Sequence, residues 1–587
     1  MRLAIILFLP FLAGAQLVTS TTVPNGAVPV VFLNGYQFGC TGGSDINSNF
    51  GNGVQVLQAS GLVSLYFDNC TSPGATIEAL GSAFGQYLSS LKYTSGDPVP
   101  QVDVIAHSMG GLILRSYLSG KQDTAPGTPA TFNPPLNTGI RKAIFLATPN
   151  FGTAVASQLG SDTQTKEMSL GSQFLLDLNT WNQGTDDLRG IDSLAVSGNG
   201  GTGLESTLAG NGLSGFDDGV VALTSASIGF AVGGRTIVVP DCHTGDTLVV
   251  QFGVCSASTP PINNITPGTP VAQIITSFLS GTNDWASLGQ PIEKTSAAAV
   301  GGLLLGAEDL NGSPLSISSA TAGTSSLSVN AGAYKEAILA SPTVPVTANV
   351  TGGTPVSSTV SVVPAASTAV FAKPGPSITG VVPAGIAQFP RSVAPGSFVT
   401  VYGSSLSSAT LQAFQPYPAQ LGDVTVLING TPAQIQYVAA GQINFVYPDL
   451  APGLQKLTVK NSSGQQTVNV MMAAAVPSIF TFTGVANGPA AAENAVTAAI
   501  VGPDAPLHAG DYVALYLTGV GDTPQNTTVT VGGQPCAGQF FFAGHVPSFV
   551  GLDQVNCQIP AGVSGDAIPV IVTTNGRPSN TATLTIQ

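Results

Sequence analysis

Between residues 28 and 285 the chain alternates short apolar runs with segments of helical spacing. VPVVFL at 28–33 and LVSLYF at 62–67 have the β-branched and aromatic content of buried strands. ATIEALGSAFGQYLSSL at 75–91 has apolar residues three and four apart, which predicts an amphipathic helix. A strand over 102–106 runs straight into a helix over 110–118. KAIFLA at 142–147 and TIVV at 236–239 continue the strand series, and VAQIITSFL at 271–279 predicts a closing helix. This order constrains the fold more than any other feature. Strands that are apolar throughout and separated by helices need both faces covered, so a mostly parallel sheet between helices is expected.

Past about residue 288 helical periodicity fades, and Ser, Thr, Val, Gly and Pro dominate. Strands are predicted at 344–350 and 359–363, in a small sandwich or a stalk over 288–375. Ala372-Lys373-Pro374-Gly375-Pro376 reads as a linker. Beyond it the chain repeats itself. PGSFVTVYGSSL at 395–406 parallels AGDYVALYLTGV at 509–520, VTVLINGTPAQIQYV at 424–438 parallels VTVGGQPCAGQFFFA at 529–543, and GQINFVYPDLAPG at 441–453 parallels LDQVNCQIPAGVSG at 552–565. Asn429-Gly430 and Gly532-Gly533 lie between alternating runs, the signature of two-residue hairpin turns. Two copies of about a hundred residues each suit immunoglobulin-like sandwiches. Residues 376–587 resemble the tandem IPT/TIG-like module of large secreted bacterial proteins. The expected order is a signal segment at 1–15, an α/β domain at 16–287, a small β-rich domain at 288–375, and sandwiches at 376–475 and 476–587.

Composition narrows the partners. Charged residues make up 8% and the net charge is −14, with Lys plus Arg at 16. So few cations argue against nucleic acid and anionic membrane surfaces as partners. MRLAIILFLPFLAGAQ begins with one Arg before an apolar run and offers Ala13-Gly14-Ala15 as a cleavage site, so a secretory signal peptide is expected. No later stretch reaches the ~18 apolar residues of a membrane span. The cysteines fall as neighbours: Cys40 with Cys70, Cys242 with Cys255, Cys536 with Cys557. Six cysteines allow 15 connectivities, and proximity alone selects these three pairs. Export makes disulfides the default, and no C-x-x-C pair exists for a zinc or redox site. Glycosylation sequons such as Asn69-Cys70-Thr71 matter only in a glycosylating host.

One serine interrupts a buried strand and a helix in QVDVIAHSMGGLILRSYL, at 101–118. A tight strand-to-helix turn of this kind lifts a serine hydroxyl above a sheet. It needs small residues two before and two after, and Ala106 and Gly110 supply them. Serine is a poor nucleophile unless a base takes its proton and a third group holds the base. The chain has four histidines. His107 lies inside the turn, and His508 and His545 lie in the repeats. Only His243, after the strand at 236–239, follows the serine within the α/β region. GFDDGVVALTSASI at 215–228 offers Asp217 and Asp218 as the acid, and Asp192 is a weaker candidate. An oxyanion needs the amide after the serine, at Met109, and a second amide from a loop following an early strand. No metal or organic cofactor is called for.

Several segments resemble the bacterial lipase/esterase branch of the α/β-hydrolase superfamily. VVFLNGY at 30–36 is similar to its strand followed by His-Gly-x, with Asn34 for His, which implies Tyr36 as the second amide donor. Asp-Gly-Val-Val at 218–221 is similar to its acid loop, which selects Asp218 and leaves Asp217 as a solvated neighbour. FLATPNFGTAVA at 145–156 is similar to its Thr-Pro-His-x-Gly-Thr segment, with Asn150 for His in a structural role. Ala106 stands where glycine is usual. The resemblance covers about 25–285 and implies a secreted carboxylic-ester hydrolase, a lipase or esterase working through an acyl-enzyme on Ser108, His243 and Asp218. Its C-terminal sandwiches would attach it to a surface or polymer. An acyltransferase, thioesterase or amidase would use the same groups. An adhesion protein with an idle hydrolase region is the other alternative. Phe174, Leu175, Leu178 and Trp181 form an apolar stripe within 157–189 that fits either a lid or core packing.

Overall fold

The computed structural model describes residues 21–587 apart from 38–43, 45, 47–49, 126, 183–186, 209–216, 245–254, 256–264, 267–268, 310–312, 330–332, 339–342, 354, 373–374, 385–391 and 522–523. The signal segment and Cys40 lie outside the described residues.

The apolar runs of the first half form one 7-stranded sheet. Its spatial order is Ser64–Phe67, Val30–Leu33, Val102–His107, Ile140–Leu146, Asp192–Gly198, Thr236–Val239, Gln290–Pro291. All neighbours are parallel except the last pair. Side chains alternate between two cores, as a pleated strand requires. Val31, Leu33, Val104, Ala106 and Phe145 face helices Ile77–Ser90 and Met109–Ser119. Val30, Phe32, Ile105, Ile144 and Leu146 face helices Asn52–Ala59 and Thr269–Ser280. The antiparallel edge strand at Gln290–Pro291 lies past residue 287, so this sheet runs slightly beyond the boundary expected from the fading of helical pattern.

Connectivity reverses between Val30–Leu33 and Val102–His107. The chain leaves the first strand toward one edge of the sheet and returns to build the other. Such a switch point leaves a crevice at the carboxyl ends of the strands, the usual binding place in an open α/β sheet. Ser108 and the loop Asn34-Gly35-Tyr36 both lie there.

Residues 300–372 form a second 7-stranded sheet, with Val300–Ala307 parallel to Ser367–Ala372. It has its own core around Leu303, Leu305, Val346, Val360 and Val370. It is no free stalk: Leu304 and Phe371 belong to the same core as Leu176 and Ile228 of the first region.

The repeats fold alike. In the first, Phe398–Ser404 pairs Gln442–Val446 and Val424–Ile428 pairs Gly453–Asn461. In the second, Tyr512–Thr518 pairs Asp553–Gln558 and Thr527–Val531 pairs Gly565–Thr574. Two 5-stranded sheets bury one core in the first repeat. In the second, the long strand Gln534–His545 serves both faces by pairing Thr527–Val531 and Asp553–Gln558. Asn429 and Gly430, and Gly532 and Gly533, all have positive φ, as two-residue hairpin loops require. Cys536 and Cys557 are disulfide-bonded across the second repeat. Arg577 of this repeat donates to the Arg189 carbonyl at 2.8 Å, so the chain's end touches the α/β region. No helix among the described residues is long and apolar enough to cross a membrane.

The helix Met109–Ser119 approaches the first strand so closely that a Cβ on Gly110 would lie 2.5 Å from the Leu33 carbonyl oxygen and 2.8 Å from that of Asn34. Backbone cannot move aside as a side-chain tip can. Gly110→Ala is expected to destabilise the fold by about 1–3 kcal/mol, read as a lowered midpoint in chemical denaturation; an unchanged midpoint would contradict the packing argument.

Candidate active site

Ser108 has φ 52° and ψ −127°. A β-carbon makes this backbone costly, about 1–3 kcal/mol, and packing must hold it. Its amide donates to the Leu146 carbonyl at 2.9 Å. Gly35 makes room from the other side, since a Cβ there would come within 2.8 Å of the Ser108 Cβ. The hydroxyl caps no helix amide. Instead Ser108 Oγ lies 2.9 Å from His243 Nε2.

His243 Nδ1 lies 2.8 Å from Asp218 Oδ2. The carboxylate faces that nitrogen, which assigns it the proton and leaves Nε2 to accept from the serine. The other oxygen of Asp218 accepts from the amides of Val220 at 3.0 Å and Val221 at 2.8 Å. The His243 amide donates to the Asp218 carbonyl at 2.9 Å, so backbone as well as side chain joins the two loops. All three residues are buried.

The other candidates separate cleanly. Asp192 sits at the opposite, amino end of its strand and pairs with Arg235 at 3.2 Å. Asp217 is fully buried and accepts from the Gly219 amide at 3.0 Å, so it is no solvated neighbour; the tight turn draws it under the loop. Met109 is the first residue of its helix, where an amide has no intrahelical acceptor. Tyr36 follows Gly35 at the same rim, and its phenol donates to Asp162 Oδ2 at 2.5 Å. Burial, then that bond, pushes the phenol up to about 12, so it stays a donor.

Three further residues support the site. Asn69 is buried, and its amide donates to the carbonyls of Gly35 at 2.8 Å and Asn34 at 3.3 Å. It holds the loop that carries Tyr36. Its signal was faint: a polar pair, Asp68-Asn69, directly after a buried strand that borders the switch point. Asn150 is structural, as its place in the Thr-Pro-x-x-Gly-Thr segment implies: its carbonyl accepts from Arg115 at 3.1 Å and Asn179 at 2.9 Å. His107, inside the turn, is held by the His243 carbonyl at 3.0 Å from its Nε2. The apolar stripe is core: Phe174, Leu175, Leu178 and Trp181 are all buried.

Burial, then the neighbouring charge of His243, lowers His107 from 6.5 to about 3. An imidazole held neutral in the fold takes up its proton more readily once unfolded. It therefore costs stability as pH falls from 6.5 toward 3. His107→Gln should flatten the acid side of the stability profile, with a smaller fall in Tm between pH 6 and pH 4 than wild type; an equal fall would exclude His107 as the source.

Cys242 is disulfide-bonded to Cys255, with Cα atoms 6.1 Å apart. The bridge closes a loop beside His243, worth about 3 kcal/mol in the chain-entropy model. Cys242→Ser with Cys255→Ser should lower turnover more than it lowers Tm, because the histidine loses its anchor; full turnover in the double variant would refute this. The Cys40–Cys70 pairing falls on Cys40, outside the described residues.

Residues 88–195 match the class 2 lipase family, and residues 376–471 match the IPT/TIG domain family. The first match includes Ser108 and ends before Asp218 and His243. No curated protein matches the chain significantly. Among solved structures, phospholipase PlaB from Legionella pneumophila is similar at 13% identity and TM-score 0.39, over 59% of this chain and 93% of that one. Lipase 1 from Pelosinus fermentans is similar at 12% identity and TM-score 0.20, over 30% and 68%. SGBP-B of a Bacteroides ovatus mixed-linkage glucan utilization locus is similar at 14% identity and TM-score 0.21, over 46% and 59%. The chain thus carries a region that matches class 2 lipases, in a sheet covered by helices as in an α/β-hydrolase, followed by a region that matches the IPT/TIG domain.

Proposed function

We propose that the protein is a secreted serine hydrolase that cleaves carboxylic esters of lipid character through an acyl-enzyme. The observation that carries this is the unbroken line from Asp218 through His243 to Ser108, with contacts of 2.8 and 2.9 Å at the switch point of the sheet. Ser108 attacks the ester carbonyl while His243 Nε2 takes its proton. Asp218 holds the Nδ1 tautomer and stabilises the imidazolium formed in attack. The amides of Met109 and Tyr36 receive the negative charge that develops on the carbonyl oxygen. His243 then protonates the departing alcohol, and water activated by the same imidazole releases the acyl group. Lipid substrates are favoured by the class 2 lipase match around the serine. An extracellular site is favoured by the disulfides Cys242–Cys255 and Cys536–Cys557, which oxidising compartments maintain. The C-terminal sandwiches attach the enzyme to a surface or polymer in this reading.

A fluorophosphonate probe should label wild type, while Ser108→Ala and His243→Ala should not react. Asp218→Asn should keep the geometry but present the wrong tautomer, lowering kcat on p-nitrophenyl esters by about 10⁴. A folded wild-type protein that takes no label would remove the proposal and favour adhesion. Labelling with turnover of thioesters or amides in preference to esters would move the bond class and keep the nucleophile.

A further inference from the structure

We infer that Glu205 is a positioning residue that acts as a neutral acid, joined through Thr153 to the turn that carries Asp218. The inference rests on the proposed role of Asp218. Glu205 lies on the short helix Leu204–Leu208 and is buried. Its Oε1 accepts from the Ala154 amide at 2.9 Å, and its Oε2 lies 3.0 Å from the Val155 amide and 2.9 Å from Thr153 Oγ1. The same Thr153 hydroxyl donates to the Val220 carbonyl.

Proton counting decides the state. Thr153 has one hydroxyl proton, and two acceptors compete for it: the Val220 carbonyl and Glu205 Oε2. A carbonyl cannot donate, so the Val220 contact uses the threonine's proton. The contact with Glu205 is then a hydrogen bond only if the carboxyl supplies a proton of its own. The chain therefore runs Glu205 Oε2–H to Thr153 Oγ1–H to Val220 O. Val220 is where this matters, because its amide donates to Asp218 Oδ1 at 3.0 Å. One peptide unit away from the carbonyl held by Thr153, the backbone holds the carboxylate that faces His243. Val155, Val220, Val221 and Ala226 pack together beside this relay and keep water from replacing it.

The surroundings favour the neutral form. Burial pushes the Glu205 carboxyl from 4.5 up to about 8 against the opposing pull of the hydrogen bonds from Ala154, Thr153 and Val155, and the charge of Asp217 adds to the rise. Thr153-Ala154-Val155 and Leu204–Leu208 contain no other ionisable group, and the turn at 217–221 contributes only Asp217 and Asp218. Ionisation at high pH would put a second acceptor against Thr153. The hydroxyl would then turn toward the carboxylate and release the Val220 carbonyl.

The test uses the full chain. Glu205→Gln keeps a donor toward Thr153 and an acceptor toward Ala154, and it cannot ionise. Wild-type kcat/KM on a p-nitrophenyl ester should fall about tenfold per pH unit above the ionisation of Glu205, while Glu205→Gln should hold its plateau. Thr153→Val should lower kcat at every pH with KM little changed, and Thr153→Ser should restore it. A second readout needs no activity. The folded chain keeps a proton that the unfolded chain has lost, so wild type should lose Tm relative to Glu205→Gln as pH rises from 4.5 through about 8. An alkaline limb and a Tm slope unchanged in Glu205→Gln would overturn the inference, as would wild-type kcat in Thr153→Val. If the folded wild type neither turns over esters nor takes the fluorophosphonate label, the proposed function fails, and the Tm comparison still judges the protonation of Glu205.

Discussion

Ser108 occupies a backbone conformation that a residue with a β-carbon avoids, and the surrounding fold is organised to hold it there. The buried strand before it cannot shift, because neighbours pair with it on both sides. The helix after it sits nearly in contact with the first strand, because Gly110 has no side chain to keep them apart. Gly35 clears the space in front. Without those three conditions the turn relaxes, the hydroxyl swings off the rim of the sheet, and the distance to His243 opens. The strain is local, and what offsets it is the packing of a whole α/β layer.

The carboxyl groups around this point are treated differently by their environments. Asp218 is buried, yet each of its oxygens is met by donors: two amides on one side and an imidazole on the other. Such a set stabilises a charge away from water. Glu205 is equally buried and also meets two amides, but no imidazole faces it and the hydroxyl beside it is already committed to a carbonyl, which favours the protonated form. One carboxyl is arranged to hold charge beside the imidazole, and the other to carry a proton in the frame behind it. The difference arises from which hydrogen-bond partners the turn at 217–221 and the segment at 153–155 present.

Some residues were legible before any fold was known. The strand and helix spans around Ser108 were visible because apolar period reports burial directly, and the two hairpins were visible because positive φ demands Asn or Gly. His243 stood out because histidine is scarce. Asp218 came from a resemblance, and the adjacent Asp217 was misjudged as solvated because a tight turn buries both members of a pair that reads as polar. Glu205 gave no usable signal, Asn69 only a faint one, and Thr153 was legible only as the last residue of the Thr-Pro-x-x-Gly-Thr segment. Each is a common residue whose importance lies in a carbonyl or hydroxyl brought to it from dozens of positions away.

By itself the sequence determined the alternation of strand and helix, the repeat at the C-terminus, and a serine set where a strand meets a helix. These follow from periodicity and from the shape limits of single residues, which are local. It took the packed fold to set Asp218 against the histidine and Asp217 out of solvent, to merge the core of the middle sheet with the first, and to bring Thr153 and Glu205 together behind the acid turn. Those outcomes depend on which backbone groups are left over when distant segments pack, and a buried polar group must find its partner among them.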